Sequence, residues 1–103
     1  MNIEFLKKEF LDKYTALGPE KFYNALLFYS VKKLMAFEKD KSLPLINLEL
    51  LEYYDQFIIL YRRAGDDNCL EVAKIFRKVA HKMYRLMLKK SLTPRNNKFL
   101  NLV

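Results

Sequence analysis

Residues 69–90 read CLEVAKIFRKVAHKMYRLMLKK, and two patterns overlap in them. Cys69, Val72, Phe76, Val79, Met83 and Leu86 recur at alternating steps of three and four, the spacing that stacks side chains on one face of an α-helix. Lys74, Arg77, Lys78, Lys82, Arg85 and Lys89 fill the gaps. With Val72 at the origin of a helical wheel they fall between about 140° and 280°, opposite the apolar set. At helical rise this cationic row extends about 22 Å. From Val72 to the last residue there are nine Lys or Arg and no Asp or Glu. An ordinary surface helix interleaves the two signs at i,i+4. The row is therefore either a solvated face that keeps a greasy protein dissolved or a surface made for an acidic partner.

The remainder of the chain is punctuated as helices too. Asn2 is placed to cap a first helix, 2–17, whose inward stripe is Ile3, Leu6, Phe10, Tyr14 and Leu17. Gly18 ends it and Pro19 opens the next, the usual order at a helix junction. The second helix, 19–38, is apolar nearly all round: between Phe22 and Phe37 its polar residues Asn24, Ser30, Lys32 and Lys33 point in scattered directions. Such a helix is central, covered by another subunit, or covered by the C-terminal tail. Self-association or docking through Phe22, Tyr23, Leu27 and Phe28, with Phe99 and Leu100 of the tail, is the expectation. Pro44 marks a break, Leu43, Leu45 and Ile46 are apolar enough to plug one end of a bundle, and Asn47 would cap a third helix, 48–64, closed by Gly65. On that helix Leu50, Leu51, Tyr53, Tyr54, Phe57, Ile58, Leu60 and Tyr61 cover the apolar half, and Glu49, Glu52 and Asp55 form a carboxylate row on the other. Asn68 and Glu71 have capping-box spacing for the last helix, 69–90.

These segments predict an all-α, four-helix antiparallel bundle over residues 1–90 with a short C-terminal tail, 91–103. With 103 residues, eight Phe and seven Tyr, the chain has material for one core, and two Gly are too few for a many-stranded β fold. Residues 1–65 carry ten basic and nine acidic side chains, a net of +1, and residues 66–103 carry nine and three, a net of +6. That asymmetry favours an acidic partner: nucleic acid, an anionic membrane surface or an acidic protein. One cysteine permits no internal disulfide, the N-terminus has no secretory pattern, and the longest uncharged run is ten residues, Phe22 to Val31. A cytoplasmic protein without a membrane span is expected.

Catalytic patterns are weak. Ala80-His81-Lys82-Met83, on a helix of a bundle this size, resembles the phosphoacceptor segment of histidine-phosphotransfer domains. That family carries Lys three residues after the histidine and then Gly, where this chain has Tyr84 and Arg85, so the phosphorelay role the resemblance implies is not carried over. Cys69, at the start of the last helix, belongs to the apolar stripe and has no base near it in sequence. No Glu-x-x-His pair, Gly-rich phosphate loop or Cys/His cluster occurs. The sequence reading is a non-catalytic interaction module without cofactor or metal that binds a partner protein or itself. Sequence-independent nucleic-acid binding through the last helix is the alternative. Helix-turn-helix glycines, zinc-finger spacing and RNP aromatics are absent, and Tyr84 is the only aromatic at the edge of the cationic row.

Overall fold

The computed structural model describes residues 3–37 and 44–91. They form four helices and, among the described residues, no strand. Helix α1 covers 3–17, α2 is Pro19–Phe37, α3 is Pro44–Ala64 and α4 is Asp67–Ser91. Asn2, Glu38 and Leu43 lie outside the described residues, as does the tail segment bearing Phe99 and Leu100.

Helix α4 organises the bundle, contacting α2, α3 and the middle of α1. Cys69, Val72, Phe76, Val79 and Met83 are all buried, as their spacing predicts, and Leu86 is half-buried. Ala73, Ile75 and Ala80 are buried beside them, so the inward face is wider than one stripe. A helix facing three neighbours needs that width, and the two alanines let backbones approach closely. Helices α3 and α4 run antiparallel, since Tyr54 lies under Arg77 while Leu51, a turn earlier, lies against Ala80 and Tyr84.

Phe76 stands at the centre of an aromatic cluster. Its ring is 5.0 Å from Phe10 on α1, 6.3 Å from Phe22 on α2, and 5.3 and 5.9 Å from Tyr53 and Phe57 on α3. One side chain thus touches all three other helices. Edge-on and tilted ring pairs of this kind add to the burial of apolar area.

The helix junctions correct the sequence reading in two places. Helix α3 starts at Pro44, not at Leu48 behind an Asn47 cap. Proline has its φ preset for a helix and its missing N–H is not needed in the first turn. Leu45 and Ile46 therefore belong to the backbone of the opening turn, and their side chains, on which the plug expectation rests, lie outside those described. At α4 the cap is Asp66, whose Oδ1 accepts the backbone N–H of Asn68 at 2.9 Å, so the helix begins before the Asn68–Glu71 box. Glu71 instead pairs with Lys74 at 3.6 Å.

Between α1 and α2 stands the single residue Gly18, at φ +87° and ψ +167°, whose N–H donates to the Tyr14 carbonyl at 2.8 Å. Gly65, at φ +66°, closes α3 with an N–H to Tyr61 carbonyl bond of 2.7 Å. A Cβ on either would meet nothing within 4 Å, so substitution costs conformation alone. The Gly18 geometry is open almost only to glycine. Gly18→Ala is expected to lower the unfolding free energy by about 1–3 kcal/mol, and Gly65→Ala by about 1 kcal/mol. Urea melts of the two variants give the comparison, and equal small losses would show that the α1–α2 junction relaxes.

Helix α1 is not uniform. It is α-helical at Ile3–Leu6 and Asp12–Leu17, with a π-helical turn at Lys7–Leu11 between them. Of the expected inward stripe Leu6 is buried and Phe10 and Tyr14 are half-buried, while Ile3 and Leu17 are exposed. The wider π turn shifts the phase of the helix, so a single 3.6-residue stripe does not run its length.

Helix α2 does have an inside. Phe22, Leu26 and Ser30, four apart, are buried. Ser30 can be fully buried because its hydroxyl donates to the Leu26 carbonyl at 2.8 Å, which satisfies its own donor. Phe22 is therefore a core residue, and its assignment to a self-association surface is corrected.

Candidate acidic-partner interface

The outward side of α4 carries the charge. Lys74, Arg77, Lys78, Lys82 and Arg85 are exposed, as is His81 in their midst, and the side chain of Lys89 lies outside those described. Lys74 has Glu71 as a weak, solvent-exposed partner. Among the described residues no carboxylate stands within 4.0 Å of Arg77, Lys78, Lys82 or Arg85.

Two of these cations rest on rings from neighbouring helices. The Lys78 ammonium is 5.1 Å from the ring centroid of Tyr23 on α2, and the Arg77 guanidinium is 6.0 Å from that of Tyr54 on α3. A cation over an aromatic face is held by the ring quadrupole without losing its charge, by about 0.5–1 kcal/mol at exposed sites. Both rings are half-buried, so each is a fixed platform. Tyr23, assigned from sequence to self-association, thus supports the basic face. Nothing in the sequence signals either platform, because the partners are distant along the chain.

Beside Arg77 the face has a shallow hollow of about 160 Å³ lined by Leu51, Arg77, Ala80, His81 and Tyr84. Leu51 and Tyr84 are exposed at its rim, although the sequence pattern counts Leu51 in the apolar half of α3. Tyr84 stands at the edge of the cationic row, as its position on the wheel predicts.

No protein-family model, curated protein or solved structure matches the chain. The chemistry of the face is therefore the only guide to what it binds.

Other sequence candidates fall elsewhere. Leu27 is half-buried against the core, and Phe28 is 64% exposed with the Lys32 ammonium 5.1 Å from its ring. Cys69 is buried, and burial first, then Asp66, pushes its thiol above the usual range, contrary to what activation requires. Among the described residues no three His, Cys, Asp or Glu side chains come together as metal ligands would, and no helix is long and apolar enough to cross a membrane.

A second feature was not visible in the sequence. A cleft of about 280 Å³ opens between α1, α2 and α3, walled by Phe5, Phe10, Phe22, Tyr29 and Tyr53 and floored by Phe76. Glu49, from the carboxylate row, lines it and is bridged by Lys33 of α2 at 3.0 Å. Of that row it is Glu49 that pairs with a lysine of a neighbouring helix. The bond to Glu49 holds the Lys33 ammonium above the usual lysine range, with burial opposing. Burial, then the Glu49 charge, pushes Tyr53 above the usual tyrosine range. In both cases the native state favours the protonated form, so the stability gained is complete below the unfolded-state value and is lost as pH rises through the folded one. Unfolding free energy is expected to decline at alkaline pH beyond the ordinary lysine and tyrosine range, and Glu49→Gln to flatten that decline. Urea melts across an alkaline pH series test this; an unchanged slope in Glu49→Gln removes the pair as its source.

Proposed function

We propose that this protein is a non-catalytic interaction module, of adaptor or regulatory type, which presents the outward face of α4 to an acidic partner protein. What carries the reading is the exposed run Arg77, Lys78, Lys82 and Arg85, with no carboxylate within 4.0 Å among the described residues. Like charges held in a row repel one another, and an acidic surface relieves that repulsion while speeding encounter. The Tyr23 and Tyr54 platforms support the reading because side chains already held lose less freedom on binding.

Sequence-independent phosphate binding is the second reading. Its support is the length of the row, about 16 Å from Lys74 to Arg85 at helical rise, enough to follow a few phosphates. A second copy of the chain also has a place to bind. Phe28 and Met35 are 64% and 60% exposed, two turns apart on α2, and a solution mass by light scattering decides whether they pair.

The test is a titration of a labelled Asp/Glu-rich peptide, a DNA duplex and a single strand at several salt concentrations. Wild type is compared with a variant in which Lys74, Arg77, Lys78, Lys82 and Arg85 are all Gln. The acidic-protein reading expects the peptide to bind more tightly than either nucleic acid and to be lost in the variant. Phosphate binding expects the duplex to win, with a log–log salt slope of about −0.9 per phosphate neutralised. No binding of any probe at low salt removes both readings.

A further inference from the structure

We infer that the acidic partner is a peptide segment carrying one bulky apolar side chain among its carboxylates, and that this side chain seats in the α3–α4 hollow at Leu51, Ala80 and Tyr84. The inference rests on the acidic-partner reading of α4 and adds to it the chemistry of the ligand.

The hollow is an apolar spot on the basic face. Ala80 is 3% exposed and forms a small floor, while Leu51 and Tyr84, 40% and 52% exposed, form its walls. Leu48, three residues before Leu51 on α3, is also exposed, at 56%. Exposed apolar walls around a small floor are the arrangement that accepts a side chain, and a polyanion with no apolar group gains nothing from them. At about 160 Å³ the hollow is well below the roughly 300 Å³ at which pockets for drug-sized ligands begin. One large side chain fits it better than a cofactor would.

Charge decides what surrounds that side chain. Arg77 and His81 line the hollow, and Arg85 lies one turn from His81 on the same side of α4. On the other flank Glu52 and Asp55 are exposed on α3. An acidic segment is therefore drawn along α4 and kept off α3. Its apolar residue lies toward Leu51, and its carboxylates lie toward Arg77, Arg85 and the lysines beyond. A nucleic acid would use the same cations and could stack a base on Tyr84, but would leave Leu51 without a role.

The intact chain is titrated with a labelled Asp/Glu-rich peptide bearing one central Leu, with its Leu→Ser counterpart, and with a single-stranded oligonucleotide. Wild type is expected to bind the Leu peptide roughly tenfold more tightly than the Ser peptide, the scale of partly burying one such side chain. Leu51→Ser should erase that preference, so that the variant binds the two peptides equally. Tyr84→Ser provides the same reading should Leu51→Ser fail to fold by circular dichroism. Equal affinity of wild type for the two peptides overturns the inference. If the quintuple charge variant still abolishes binding in that case, the acidic-partner reading survives without it. Tighter binding of the oligonucleotide than of either peptide overturns the inference in favour of nucleic acid. Failure of both peptides at low salt overturns the inference and the acidic-partner reading together.

Discussion

Phe76→Ala is expected to lower the unfolding free energy by about 3–5 kcal/mol, the usual range for deleting a buried phenyl ring. Phe76 is fully buried, and its ring is within 6.3 Å of rings from α1, α2 and α3. The cavity left behind would border three helices at once, so no single helix can shift to fill it. Domains of this size have about 5–15 kcal/mol in total, and the variant therefore loses at least about a fifth of its stability. At roughly 4–8 °C per kcal/mol, Tm should fall by about 12–40 °C. Phe28→Ala is the matched control, since that ring is 64% exposed and its loss should change stability by no more than about 0.5 kcal/mol. Thermal and urea unfolding of the two variants give the comparison. Similar midpoints for both would mean that the aromatic cluster is not the centre of the fold.

The contrast between Phe76 and Phe22 shows how far sequence pattern carries. On α4 the apolar residues are separated by cations, so the helix has a wet side and the direction of Phe76 can be read from spacing alone. On α2 there is no wet side to set the phase, and Phe22 reads equally well as surface or core. What turns it inward is Phe76, more than fifty residues away in sequence. Ser30 is hidden for a related reason, because its hydroxyl bonds to its own helix and gives no outward signal. Proline was ambiguous in the same way, since the rigid φ that breaks a helix from within also starts one. Pro44 does the second. At the basic face, the cations of α4 are legible because they are local. The rings beneath Arg77 and Lys78, and the hollow shared with Leu51, depend on how three helices pack, which short-range spacing does not encode.

Leu6→Ala should release α1 while the other helices remain paired. Leu6 is fully buried just before the π-helical turn, whose residue Phe10 reaches Tyr53 at 4.7 Å and Phe76 at 5.0 Å. Truncating such a leucine costs about 2–5 kcal/mol. A helix of about 15 residues has almost no stability of its own in water. Helix α1 is joined to α2 only through Gly18, and the cleft of about 280 Å³ beside Phe10 leaves it incompletely packed. The loss therefore falls on the docking of α1 more than on the α3–α4 pair, whose core residues Phe57, Val72, Val79 and Met83 are fully buried. Amide hydrogen exchange is the discriminating measurement. In the variant, protection over 3–17 should fall by two or more orders of magnitude, as about 3 kcal/mol requires, while amides of α3 and α4 change much less. An equal loss of protection in every helix would show instead that the four helices open as one unit, with the π turn a fixed part of the core.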